Sequence, residues 1–225
     1  GIVLASFAAV IALTLAAPRS TAGQLANVVI WGAWEPAIIA LFLLAGRVWC
    51  TVCPLSTAGR VAARIVTLRR PPPGWLKASG VWLATVGFFA ILWFERVFHM
   101  ARSPLPSGIL LLALMGTAAA FAVVWQRETW CRYVCPLGTL AAGFALPAPL
   151  QVRANPSLCA TYCTDHFCYK GSGDTPGCSV FHHPLYAGEG HLCKLCFNCV
   201  HVCPPGSAKL YARPPLQAVW RLGGL

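Results

Sequence analysis

The chain has 225 residues, of which 57% are apolar and 10% charged, whereas an average soluble domain is about 25% charged. Seventeen Lys and Arg against six Asp and Glu leave a net charge of +11, which suits an acidic partner, and the hydropathy favours the anionic face of a membrane over nucleic acid. An ordinary soluble enzyme is excluded. Twelve cysteines are too many for packing alone and point to disulfides, zinc or iron–sulfur clusters.

A membrane span needs about 20 mostly apolar residues, and four stretches qualify: Gly1 to Ala17, Val28 to Trp49, Ala78 to Phe98 and Gly108 to Trp125. The first starts without Met inside an apolar run, so native residues before it are expected to be missing. With further spans following, that run is not a signal peptide. Helices are required, because backbone groups in lipid must be satisfied within the segment and no alternating barrel pattern is present. Trp31, Trp34, Trp49, Trp75, Trp93, Trp125 and Trp130 flank the spans as an aromatic belt.

The loop between the second and third spans carries Arg60, Arg64, Arg69, Arg70 and Lys77 and no acid, while the opposite loops hold Arg19 and Arg102. Positive charge marks the cytoplasmic side, so residues 50 to 77 and everything after Trp125 are expected there. Within that loop, Thr57 to Leu68 reads as a short interfacial helix, with Arg60 and Arg64 on one face and Val61, Ile65 and Leu68 on another. Pro71, Pro72, Pro73 and Gly74 stop it.

The second span ends in Cys50-Thr-Val-Cys53-Pro54-Leu and the fourth is followed by Cys131-Arg-Tyr-Val-Cys135-Pro136-Leu, each preceded by Trp. Pairs three or four residues apart share a helix face, with the proline expected to terminate the helix. Four thiols gathered from two helix ends suit a further iron–sulfur cluster or a redox-active dithiol; ordinary helix-end thiols are the alternative. Arg47 and Arg132 beside them either raise cluster potentials or simply obey the positive-inside rule.

After Pro147 the apolar runs end and eight cysteines follow. Cys193-Lys-Leu-Cys196-Phe-Asn-Cys199-Val-His-Val-Cys203-Pro204 has the C-x2-C-x2-C-x3-C-P spacing of bacterial ferredoxins. Three thiolates cap one cubane, and the fourth, turned away by proline, reaches a second cluster. Zinc would want two C-x2-C pairs closed into one tetrahedron, and a reducing compartment opposes disulfides. Upstream, Cys159, Cys163, Cys168 and Cys178 form a looser three-plus-one set. Crossed ligation puts one 4Fe-4S cluster on Cys193, Cys196, Cys199 and Cys178, and the other on Cys159, Cys163, Cys168 and Cys203; uncrossed sets of four consecutive cysteines are the alternative. Most of His166, His182, His183, His191 and His201 read as surface residues, with a histidine in place of a cluster cysteine as the alternative that the cysteine count does not require, and the tail from Tyr211 to Leu225 shows no regular period.

Four spans, Cys-Pro motifs at helix ends and a C-terminal double ferredoxin motif resemble the NapH, NosR and MauN group of membrane polyferredoxins, subunits of quinol dehydrogenases. Cys131, Cys135 and Pro136 match the group's membrane motif, and Cys193, Cys196, Cys199, Cys203 and Pro204 its ferredoxin motif; Cys50 and Cys53 match with one spacer residue missing. The resemblance implies electron transfer between the quinone pool and a ferredoxin-like or cytochrome partner, with quinone or quinol as substrate, inside a respiratory complex of several subunits. A flavin-binding domain like that of NosR has no room in this length.

Ionisable residues within spans are costly and informative. Glu35 near the outer end of the second span, with Glu95 and His99 at the outer end of the third, form a candidate quinol or proton site; a Glu95–Arg96 interfacial pair with His99 reaching water is the alternative. These groups lie most of a bilayer, about 30 Å, from the cysteines. His99 is the sole histidine before His166, so no haem bridges the gap. Quinol therefore docks near the inner helix ends, or a partner subunit spans the membrane.

The expected architecture is mainly α: a four-helix transmembrane bundle over residues 1–147 and a small cytoplasmic α+β double-cluster ferredoxin-like domain with its tail over 148–225. The expected location is the inner (cytoplasmic) membrane, multi-pass, with the iron–sulfur domain on the cytoplasmic side. Two rival functions are a CcoG-like copper reductase, for which Met100 and Met115 are the sole methionines, and a non-enzymatic anchor for a ferredoxin module.

Overall fold

The computed structural model describes residues 2–173, 175–186, 191–217 and 220. Gly1, at the head of the first expected span, and most of the tail beyond Gln217 lie outside the described residues. The chain divides into two compact units, residues 1–39 with 52–139, and residues 40–51 with 140–225.

Among the described residues, three helices are long and apolar enough to cross a membrane: Thr21–Ala45, Gly74–Val97 and Pro104–Val124. A fourth apolar helix, Ile2–Ala16, has 15 residues, short of the roughly 20 a crossing takes. The second helix starts earlier than hydropathy alone suggests because the Ser20 hydroxyl accepts the Gly23 amide at 3.0 Å and caps it. It ends at Ala45 rather than Trp49 because Gly46 turns left-handed at φ +67°, the stop glycine allows without a Cβ penalty. A π-helical stretch, Val29–Trp34, widens its middle.

In the first unit the helices meet through small residues, as helices do where lipid offers no hydrophobic drive. Gly108 lets Pro104–Val124 close on Ile2–Ala16 at Thr14, whose Oγ1 a Cβ would approach to 2.5 Å. Gly80, Leu76 and Ala84 are the buried positions of Gly74–Val97, and Gly80 sits on Tyr133 of the Trp130–Val134 turn. The rest of that helix leaves Trp82, Val86, Phe89 and Trp93 exposed, an apolar surface of the kind that marks contact with lipid or protein. Opposite the cysteine end, Asn27 is buried and donates to the carbonyls of Met100 and Ala101, both at 3.0 Å. Trp31 donates to Ser107, and Ser107 to the Met100 carbonyl.

The expected interfacial helix is present as Pro54–Ile65, but it is no lone surface helix. It buries Pro54, Leu55, Ser56 and Gly59 against Pro104–Val124, where a Cβ at Gly59 would lie 3.1 Å from that of Ala122. The loop's missing acid comes from elsewhere: Glu128 accepts from Arg60 at 3.2 Å and from Ser56 at 3.1 Å. Leu68 and Arg70 then pair by backbone with Val123 to Gln126.

In the second unit, strands Leu150–Ala154 and Ala208–Ala212 form an antiparallel pair with Val152 opposite Leu210. Short helices Pro156–Tyr162, Phe167–Lys170 and Asn198–His201 carry the cysteine segments. Arg213, buried at the start of the aperiodic tail, donates to the carbonyls of Ala148 and Leu146, both at 2.8 Å, and of Ala145 at 3.3 Å. The tail's beginning is thereby part of the fold.

Candidate functional site

No two cysteines are joined in a disulfide among the described residues. The C-x2-C-x2-C segment is shaped by two non-glycine residues in the left-handed region, Leu195 at φ +56° and Phe197 at φ +60°. Such conformations cost about 1 kcal/mol or more each and persist where the surroundings demand them. Here they turn successive thiols to one side: Cys193, Cys196 and Cys199 line a single cavity together with Cys178, walled by Val152, Val180, Pro184 and Phe197. Amide donors already point at sulfur, from Leu195 to Cys193 at 3.4 Å and from His182 to Cys178 at 3.2 Å. Burial, then neighbouring thiols, pushes Cys199 up to about 12; burial first also pushes Cys193 up to about 11, partly offset by the Leu195 amide and the Arg47 guanidinium.

The second group assembles around Cys168. Burial pushes that thiol up to about 11, and the neighbours that add to the shift are Cys163, Cys203 and Cys159. The Cys159 sulfur lies 3.1 Å from the Ser207 hydroxyl. Two histidines read as surface residues are in contact instead: His183 Nε2 lies 3.6 Å from Cys168 Sγ and His166 Nδ1 3.8 Å from Cys163 Sγ. Desolvation and the neighbouring His166 hold His183 below the usual imidazole range, so it is neutral at pH 7. Among the described residues, no three His, Cys, Asp or Glu side chains converge as one ion would require. The thiols of Cys178, Cys193, Cys196 and Cys199 instead line a cavity, a donor set that suits an iron–sulfur cluster.

At the helix ends, Cys53, Cys131 and Cys135 of the first unit share one apolar cluster with Leu55, Ala118, Trp130 and Phe121. The spacing difference between the two motifs has a backbone cause. Trp49–Val52 is one α-helical turn, whereas Trp130–Val134 is a π-turn, closed by the Cys135 amide on the Trp130 carbonyl five residues back. The wider turn absorbs the extra residue. Both turns end just before the Cys-Pro step, at Val52 and Val134, and Pro54 and Pro136 then open the next helices, where a missing amide costs nothing. Cys135 consequently sits at a helix N-terminus, with the Gly138 amide 3.3 Å from its sulfur.

Cys50 belongs to the second unit, where its neighbours in sequence reach the cavity's loop. Arg47 is 3% exposed and donates to the Leu192 carbonyl at 3.2 Å, and the Thr51 hydroxyl donates to the Lys194 carbonyl at 2.6 Å. The Arg47 guanidinium is thus held inside the unit rather than at its surface. Lys194 is also buried, at 2%. Nothing in its sequence context signals that. At the other end, Glu35 and Glu95 are close enough for their charges to interact, while His99 is exposed in the turn after Gly74–Val97.

Comparison with known proteins bears on both cysteine systems. Residues 28–73 and 107–150 each match the model of a 4Fe-4S binding domain. One segment contains Cys50 and Cys53 and the other Cys131 and Cys135, so the match falls on the helix-end motifs and marks them as two copies of one unit. An Escherichia coli (strain K12) protein named "Putative electron transport protein YccM" is 26% identical over 199 residues, covering 78% of this chain and 54% of that protein. The chain spans about half the length of that curated relative. No solved structure matches it. The family match supports iron–sulfur binding by the chain.

Proposed function

We propose that the chain is a membrane-embedded relay between the quinone pool and a redox partner, a NapH-like subunit of a respiratory complex in the inner membrane. Its 4Fe-4S clusters are held in crossed fashion, one by Cys178, Cys193, Cys196 and Cys199 and the other by Cys159, Cys163, Cys168 and Cys203. The observation that carries this is the cavity lined by Cys178 with the three thiols of the C-x2-C-x2-C loop; the influence of Cys203 on Cys168 supports the other half. When bound, such clusters pass single electrons. The chain's own residues supply the thiols, the amide donors to sulfur and the apolar walls of Val152, Val180 and Phe197, which exclude water and so tune potential.

A third cluster at Cys50, Cys53, Cys131 and Cys135 completes the relay. The 4Fe-4S model matches both motifs, and three of these thiols share one apolar cluster. Quinol docks at this end. Glu95 lies fifteen residues along the helix from Gly80, about 22 Å at 1.5 Å per residue, and Gly80 touches Tyr133 beside the cysteines. Electrons released beside Glu95 would face too long a step without a carrier. In this reading the helices Thr21–Ala45, Gly74–Val97 and Pro104–Val124 cross the membrane and residues 148–225 face the cytoplasm.

Spectroscopy of single-cysteine variants tests the reading. Replacing Cys131 and Cys135 by Ser abolishes quinol-linked reduction while leaving the two ferredoxin-type clusters reducible by dithionite. Unchanged quinol-linked reduction would leave the membrane part a mere anchor.

A further inference from the structure

Arg47 follows the left-handed Gly46 that ends the long Thr21–Ala45 helix. That turn tucks the side chain inward, where its Nη1 donates to the Leu192 carbonyl, one residue before Cys193. Four residues on, Thr51 bonds the Lys194 carbonyl, one residue after Cys193. The two bonds bracket Cys193 on one strand of chain and Cys50 on the other. Both cationic side chains of this bracket, Arg47 and Lys194, are almost wholly buried, and Lys194 lines the same cavity as the four thiols.

A guanidinium stays charged under all working conditions, and a buried charge is little screened by salt. A cluster that accepts one electron becomes one unit more negative, so a fixed cation nearby stabilises the reduced form more than the oxidised one.

We propose that Arg47, seconded by Lys194, sets the reduction potential of the cluster held by Cys178, Cys193, Cys196 and Cys199, raising it so that this cluster accepts each electron arriving from the Cys50 side. The proposal rests on the cluster assignment above. Arg47 is a positioning residue: it touches the ligand loop and acts on the cluster through its charge.

The test is a potentiometric titration of the full chain in lipid nanodiscs, followed by low-temperature electron paramagnetic resonance, with iron and sulfide counted in every sample. R47Q keeps a donor for the Leu192 carbonyl and removes the charge. At the wild-type midpoint it is expected to lower the reduced-to-oxidised ratio of this cluster about tenfold, which is 59 mV for one electron, with the other cluster unmoved. R47K stays within about threefold of wild type, as does T51V, which loses a bracket bond but no charge. A fully loaded R47Q that titrates as wild type overturns the proposal, as does T51V shifting as far as R47Q. Should R47Q fail to hold iron, K194M decides: it must lower the ratio in the same sense, and an unmoved K194M overturns the proposal. Failure of the cluster assignment itself would look different, as wild-type protein with no such signal to titrate.

Discussion

The Cys178 amide donates to the Cys168 carbonyl at 3.2 Å, joining the two cysteine groups across the hairpin of Gly171–Ser172 and Thr175–Pro176. Gly171, at φ +96°, and Gly177 permit this because a Cβ at either would collide with the facing backbone. Under the proposed crossed ligation, the hairpin lets residues ten apart in sequence serve opposite clusters. Crossed ligation predicts that C203S loses the signal of the upstream cluster and C178S that of the downstream one. The reverse pattern would support ligation by consecutive cysteines.

Thiol reactivity of the cluster-free chain follows from burial. Cys199 titrates near 12 and Cys168 and Cys193 near 11. Raised values keep the neutral thiol to higher pH, so the nucleophilic thiolate is scarce at pH 8. For Cys199, three units above an ordinary thiol mean about a thousandfold less thiolate. Alkylation at Cys199 is expected to keep rising tenfold per pH unit beyond pH 9, where an ordinary thiol levels off. A plateau at pH 9, read by mass spectrometry, would contradict the buried setting.

Gly80 faces Tyr133 so closely that a Cβ would lie 2.8 Å from its carbonyl oxygen. G80L must push the Gly74–Val97 helix away from the turn that carries Cys131 and Cys135, and such overpacking costs about 1–3 kcal/mol. A lowered unfolding temperature in detergent is expected, with loss of any helix-end cluster before the ferredoxin-type ones. Equal loss of all clusters would contradict this.

Quinol docking at the inner helix ends makes a prediction for the outer carboxylates. E35Q with E95Q leaves quinol-linked reduction within about twofold of wild type, because a site some 22 Å along the helix does not share the electron step. A collapse of turnover with the clusters intact would move the quinol site to Glu35 and Glu95.

Much of this was legible in the chain. The apolar runs predict the long helices, and the ferredoxin spacing of Cys193 to Cys203 predicts which thiols gather, since both depend on short-range pattern. Burial of Arg47, Lys194 and Arg213 was not legible. Each is placed by tertiary hydrogen bonds to carbonyls of residues distant in sequence or by the path of the loop, and a cation in sequence carries no mark of whether it faces headgroups or a cavity. The π-turn at Trp130–Val134 explains in backbone terms the one-residue mismatch between the Cys-Pro motifs, which spacing alone presents as a departure.

Iron and acid-labile sulfide per chain, measured on anaerobically purified protein together with paramagnetic resonance of the reduced sample, test the central claim most directly. Three cubanes predict about twelve irons and as many sulfides, counted at four per cluster. About eight would remove the helix-end cluster and leave those thiols as a dithiol, and zinc in place of iron would contradict the account as a whole.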